Sequence, residues 1–206
     1  PDGDHVGGAH LLMQQGNLRK AIIPTMKARS PSYRDFISGA EDHGCEILVG
    51  ACGERYQLSG DVWLQVIREG LSQDRGIADN RTMVIRVHWK GWRVLLLGDL
   101  GLEDELALLE GEYDLAADVI LLGRHHHGNS INMPFLKATG AKAVITSAAN
   151  YPPFEKPPKN WVQTMERNGI EIFNQAETGA VLMDFGEKDL ELRAFLEEEK
   201  KLILER

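Results

Sequence analysis

Three short clusters in this chain are dense in groups that bind metals or move protons. Asp2-Gly3-Asp4-His5 stands at the start, Gly98-Asp99 follows the apolar run 94–97, and His125-His126-His127-Gly128 follows the apolar run 119–122. Carboxylates and imidazoles just past strand ends present metal ligands at one edge of a sheet. Mixed His and Asp donors suit Zn²⁺ or Mn²⁺, and a carboxylate shared by two ions can hold them ~3.5–4 Å apart. Each cluster also has a plainer reading: a frayed polar terminus, a common Gly-Asp turn, a surface loop. Successive residues on a strand face opposite ways, so at most two of the three consecutive histidines could easily share one metal.

The elements that must position these groups are legible in outline. A loop through Gly7-Gly8 enters a helix at 10–13, which Gly16-Asn17 stops. Ala21-Ile22-Ile23-Pro24 reads as a short buried strand. Phe36, Ile37 and Ala40 share a helical face over 33–43, with Gly44 as the stop. Strands are expected at 46–49 and 61–67, with Gly53 and Gly60 punctuating a hairpin. Residues 68–79 read as a polar loop. Strands at 82–89 and 92–97 are joined by a Lys90-Gly91 turn, and an acidic first turn opens a helix at 103–109. Further strands are read at 118–122, 143–147, 171–173, 180–185 and 190–196, with helices at 134–139 and 160–168. Residues 150–158 read as a proline-rich loop, and 197–206 as a solvated charged tail. Strands dominate, with helices interspersed. The expected class is therefore α/β or α+β, a layered fold with a mixed sheet.

Composition narrows the function classes. The 206 residues include 23 Lys and Arg against 31 Asp and Glu, a formal charge of −8. That argues against coating nucleic acid by bulk charge alone. The apolar runs fall far short of the ~20 residues of a membrane span, and no signal peptide is read. The only two cysteines, Cys45 and Cys52, form no CxxC pair; two reduced thiols are the plainer expectation, pairing in an oxidising compartment the other. Trp63, Trp89, Trp92 and Trp161 could stack on bases, although core and cross-strand packing is the commoner use. His10, His43 and His88 match no motif.

Taken in order, these motifs resemble the metallo-β-lactamase fold, and within it the C-terminal hydrolase domain of ComEC-type DNA-internalisation competence proteins. Pro1-Asp2-Gly3-Asp4-His5-Val6-Gly7-Gly8 is similar to the family's first ligand loop, Asn80-Arg81-Thr82 to its Asn-x-Ser/Thr, and Leu96-Leu97-Gly98-Asp99 to its Leu-Leu-x-Gly-Asp. Asp118 leading to His126-His127-Gly128-Asn129-Ser130 is similar to its Asp…His-His-Gly-Ser. Ser147, Asn150 and Gly179-Ala180-Val181 match its late signals. The resemblance implies an αββα sandwich over residues 1–190, followed by a closing strand and charged tail at 191–206. It also implies that the family's first ligand His falls one residue before Pro1, and that roughly 50–80 residues of N-terminal strands belong to the complete fold, in line with ordinary domain sizes.

The same resemblance implies a site. Asp2, Asp4, His5, Asp99 and His126, with His127 as second choice, would hold two divalent ions, Zn²⁺ or Mn²⁺. Asp99 would bridge them, and Asp4 and Asp99 would serve catalysis around a bridging water of lowered pKa. Ser130, Asn150 and Lys156 would contact substrate phosphate; Lys156-Pro157 stands where relatives often have His-Pro. The implied activity is a phosphodiesterase or nuclease on DNA, in a parent protein attached to a membrane channel domain. A small-ester or phosphocholine-ester hydrolase of the same fold and a degenerate binding module are the alternatives. The location would be extracytoplasmic in a competence protein and cytoplasmic in a stand-alone hydrolase.

Overall fold

The computed structural model describes residues 3–16, 18–25, 30–69, 82–123, 131–147 and 156–206, the side chain of Asp4 excepted. The chain forms a mixed α+β fold, as its sequence leads one to expect.

A seven-stranded sheet lies at its centre, in the order β3(Arg55–Ser59), β4(Val62–Arg68), β5(Val84–Trp89), β6(Trp92–Gly98), β7(Val119–Leu122), β8(Ala143–Thr146), β9(Glu171–Asn174). The first four strands pair antiparallel and the last four parallel. Parallel neighbours need crossovers, and α4(Leu102–Glu110), α5(Met133–Thr139) and α6(Lys159–Arg167) supply them. The central strands alternate with period two. Leu95, Leu97, Ile120, Leu122, Val144 and Ile172 pack with Leu108, Phe135, Leu136 and Met165 of the helices. Their neighbours Val94, Val119, Ala143, Ile145 and Phe173 face the other way. There they meet a second sheet, the antiparallel meander β10(Val181–Phe185), β11(Asp189–Ala194), β12(Lys201–Glu205), through Leu190, Leu192 and Ala194. Strands buried on both faces read as continuous apolar runs, which is why 94–97 and 119–122 carry so few polar residues.

A third unit precedes the central sheet. Strands β1(Lys20–Ile23) and β2(Glu46–Val49) pair parallel. The helical turn α1(Gly3–Val6) and helices α2(Ala9–Gln14) and α3(Pro31–Asp42) build their own core around Met13, Tyr33, Phe36 and Ala40.

Helix ends follow local chemistry. Ser30 accepts the Tyr33 N–H at 3.2 Å with Pro31 in the first turn. Asn132 accepts the Phe135 N–H at 2.9 Å with Pro134 in the first turn, and Gly140 closes α5 in the left-handed region at φ 70°.

The structure departs from the sequence reading in three places. Residues 3–6 are a helical turn rather than part of a loop. A short helix, α7(Gln175–Thr178), separates β9 from β10. The expected solvated tail contains β12: Leu202 and Leu204 pack on the second sheet, Lys201, Ile203 and Glu205 lie on the exposed side, and Arg193 pairs with Lys201 in register. Its charge density masked a period-two strand. Among the described residues no helix is long and apolar enough to cross a membrane. Both cysteines are free, Cys45 buried and Cys52 exposed. Trp92 is buried, its Nε1 donating to the Gly186 carbonyl, and Trp63 stacks on His88 with ring centres 3.6 Å apart; these are core and cross-strand roles.

Candidate functional site

The parallel strands β6, β7 and β8 all end at one edge of the central sheet. In sheets of this type the crevice beyond the carboxyl ends of the strands is where ligands bind. Asp99 stands there, one residue past β6 and 6% exposed. The turn that carries it needs glycine. Gly98 has φ 56° and sits against Thr82, which leads into β5. Gly123, just past β7, donates its N–H to the Gly98 carbonyl at 2.8 Å. A Cβ on Gly123 would lie 2.0 Å from Asp99 Oδ1. The two sequence-distant glycines thus form a close-fitting cradle around one carboxylate.

The first cluster reaches the same place. His5 lies in α1, which packs on α3, and its Nε2 stands 3.5 Å from Asp99 Oδ2. His5 keeps 44% of its side-chain surface exposed, so the pair has one wall in protein and one toward solvent. Two ligands held ~2.0–2.1 Å from one tetrahedral ion stand about 3.4 Å apart. An imidazole nitrogen and a buried carboxylate oxygen at 3.5 Å therefore fit that donor spacing.

Of the other expected site residues, Asp2, His126, His127, Ser130 and Asn150 lie outside the described residues, as does the side chain of Asp4. Lys156 is exposed on the connection before α6. Among the described residues no group of three or more His, Cys, Asp or Glu side chains is gathered. The pair His5 and Asp99 is what the described structure brings together.

Helix α4 begins three residues after Asp99, and its first turn holds two buried acids that sequence reasoning treated only as helix-dipole partners. Asp104 pairs with Arg68, at the end of β4, with Nη2 2.5 Å from Oδ1 and both side chains almost fully buried. Burial pushes the Asp104 carboxyl above its ordinary range, with the Arg68 hydrogen bond and charge opposing. Arg68 Nη1 and Asp104 Oδ2 have no hydrogen-bond partner among the described residues.

Glu105 is wholly buried. Its carboxylate accepts the backbone N–H of Ile131 through Oε1 and that of Asn132 through Oε2, the latter at 2.9 Å. Burial raises its pKa from 4.5 to about 7, with those two N–H groups opposing the rise. A signal for this buried acid does exist in the sequence: Glu105 shares a helical face with Leu108 and Leu109 at the i+3 and i+4 positions. It thus lies on the apolar stripe of α4 rather than its wet side.

No family model matches the chain. The chain is similar to ComE operon protein 3 of Bacillus subtilis (strain 168), with 23% identity over 180 residues. The match covers 87% of this chain and 23% of that relative, so the chain spans about a quarter of the relative's length.

Proposed function

We propose that this chain is a metal-dependent hydrolase of the metallo-β-lactamase superfamily, acting on phosphodiester bonds of DNA in a competence-related uptake process. The observation that carries this reading is the approach of His5 to Asp99 at the carboxyl edge of the central sheet. Two motifs that the family resemblance pairs as ligands, far apart in sequence, approach each other, which supports the reading. The layered arrangement of helices on one face of the sheet and a second sheet on the other supports the same superfamily. The similarity to ComE operon protein 3 supports the competence-related role.

In this reading Asp2, Asp4, His5, Asp99, His126 and His127 hold two Zn²⁺ or Mn²⁺ ions. Bound there, the ions would supply a water nucleophile at neutral pH and neutralise charge developing on the phosphoryl oxygens. Asp99 contributes a carboxylate already desolvated and fixed by the glycine cradle, so little reorganisation accompanies its use. His5, at the exposed wall, orients toward the same point. Asp4 and Asp99 are the carboxylates assigned to catalysis. Ser130, Asn150 and Lys156 orient the substrate phosphate, and Lys156 offsets locally the acidity of the whole chain.

The test is metal content and hydrolysis in the chain purified without chelators, beside Asp99→Ala. About two Zn or Mn per chain, clear loss in the variant, and cleavage of single-stranded DNA are expected. Metal binding with cleavage of small phosphate or carboxylate esters but not DNA would move the substrate class. Less than one metal in both proteins would overturn the hydrolase reading and leave a binding module.

A further inference from the structure

The helix-side face of the central sheet changes character across its width. Over the parallel strands it is apolar and packed against α4, α5 and α6. Over the antiparallel strands the same face carries a row of cations and rings. Register sets Trp63 of β4 opposite His88 of β5, and His88 opposite Arg93 of β6. Arg55 of β3 stands diagonal to Trp63, opposite Gln65. His88 and Arg93 each lie two residues from the Arg86–Leu95 pair, so the row shares the face of Leu95.

The members of the row touch. Trp63 and His88 stack with ring centres 3.6 Å apart and planes 5° apart. The Arg55 guanidinium lies 4.8 Å from the centre of the indole. Trp63 is thus flanked by a guanidinium from one neighbouring strand and an imidazole from the other, so the stack presents its edge rather than an open ring face. Trp63 belongs to none of the three hydrophobic cores. Buried Arg86 donates its Nε–H to His88 Nε2 and fixes the imidazole. After burial, the charges of Arg86, Arg55 and Arg93 lower the His88 pKa to about 4, so three guanidiniums converge on one ring. Like charges gathered on one face cost stability. The carboxylates that meet them are few. Asp114, 67% exposed, pairs with Arg86. Asp118 lies 3.8 Å from Arg93 Nε and 3.6 Å from Arg206 Nη2. Among the described residues Arg55 forms no ion pair. This cationic row stands out in a chain whose formal charge is −8.

Spacing decides the ligand. Neighbouring strands lie ~4.8 Å apart, which puts Arg55 and Arg93, on the outer two of four strands, about 14 Å apart. A single phosphate ion cannot reach both, whereas a backbone of repeated phosphates can. A guanidinium stacked on an aromatic ring keeps its N–H edge for phosphate. One narrow row of cations tracks one backbone, as in proteins that hold single strands. We infer that the row Arg55, Trp63, His88 and Arg93 is a holding surface for single-stranded nucleic acid. Arg55 and Arg93 bind phosphates, and the Trp63–His88 stack keeps the guanidiniums at fixed spacing. Arg93 precedes Asp99 by six residues along β6, so the surface lies about 20 Å from the candidate metal edge. The inference takes its substrate class from the function proposed above and adds a contact that touches no reacting atom.

The test is fluorescence anisotropy of the full chain with a labelled oligothymidylate of about 16 nucleotides, in chelator so that no metal takes part. Wild type is compared with Arg55→Gln, Arg55→Gln/Arg93→Gln and Arg193→Gln. Arg193 is exposed on the second sheet, so its variant removes the same charge elsewhere. Urea unfolding checks that each variant is folded, and the exposed Arg55 alone decides if the double variant is not. Loss of two phosphate contacts lowers the slope of log affinity against log salt by about 1.4, and the affinity about 25-fold near 0.1 M salt. Arg55→Gln shows about half that slope change, and Arg193→Gln matches wild type. No binding by wild type, an unchanged slope in both Arg55 variants, or an equal loss in Arg193→Gln overturns the inference. Polyglutamate that competes as well as the oligonucleotide assigns the row to acidic polypeptides and overturns it too. The metal reading fails separately: a wild type that binds the strand in chelator but takes up no metal keeps this surface and loses the hydrolase.

Discussion

His5 Nε2 stands 3.5 Å from Asp99 Oδ2. The imidazole comes from the helical turn at the start of the chain, and the carboxylate from the end of the sixth strand. Nothing local joins them: α1 rests on α3 in a separate small core, and Asp99 belongs to the central sheet. The relationship makes the surroundings of Asp99 unusually sensitive to added volume.

Gly123→Ala is the sharpest test of that sensitivity. The new methyl would lie 2.0 Å from Asp99 Oδ1 and 2.8 Å from the Gly98 carbonyl. Backbone and carboxylate must both move, with a destabilisation of about 1–3 kcal/mol for overpacking and, under the proposed function, loss of most metal affinity. Gly8→Ala is the control, since a Cβ there meets nothing within 4 Å and φ is −85°; it should be neutral or stabilise by ~0.4–1 kcal/mol. Urea unfolding and calorimetric metal titration on both variants check the pair.

Arg86 should be the most costly charged residue to remove from the sheet. Its guanidinium is almost fully buried and donates to His88 Nε2, Gln65 Oε1, the Asp114 carboxylate and the Asp114 and Ala116 carbonyls, all at 2.9–3.0 Å. Arg86→Met strands several acceptors at once and should cost about 3–5 kcal/mol. Asp114→Asn removes only a partner that is 67% exposed, so within ~1 kcal/mol of wild type is expected. Chemical denaturation at pH 7 separates the two.

His88 should stay neutral through mildly acidic pH. Burial first, then the charges of Arg86, Arg55 and Arg93, lower its pKa from 6.5 to about 4, against a small opposing effect of Asp114. The Arg86 Nε–H points at Nε2, so the ring proton belongs on Nδ1. The unfolded chain takes up a proton near pH 6.5 and the folded chain does not. This group's stabilisation is therefore present above pH 6.5 and is lost as pH falls toward 4. An NMR titration in which the His88 ring signals move with a midpoint above pH 6 would contradict it.

Glu105 should act with the opposite sign over a similar range. Its folded pKa, about 7, lies above the ordinary 4.5, so between those values the folded state holds the extra proton. Its contribution is most favourable below pH 4.5 and declines as pH rises to 7, by on the order of 3 kcal/mol. Glu105→Gln should flatten that part of the stability profile. Urea midpoints at pH 5 and pH 7.5 for wild type and variant decide it, and an unchanged pH dependence would refute it.

The residue pattern by itself determined the elements and the two-faced character of the central strands. Leu95 and Leu97 face helices while Val94 faces the second sheet, and such alternation is a short-range property written into consecutive residues. It also marked the Gly98-Asp99 turn, and it placed Ile22 and Leu48 in short strands. Tertiary packing alone decided the rest. The 3.5 Å approach of His5 to Asp99 joins elements from two different cores. Gly123 is demanded by a carboxylate from another strand. The dense charges around Leu202 and Leu204 concealed β12 until its partner strand was in place. Glu105 showed only a position on an apolar stripe, and its meaning depends on two amides that α5's own connection delivers to it. Periodicity and capping act within a few residues. Which carboxylate meets which imidazole depends on how separate layers dock, and that is settled by buried surface summed over the whole fold.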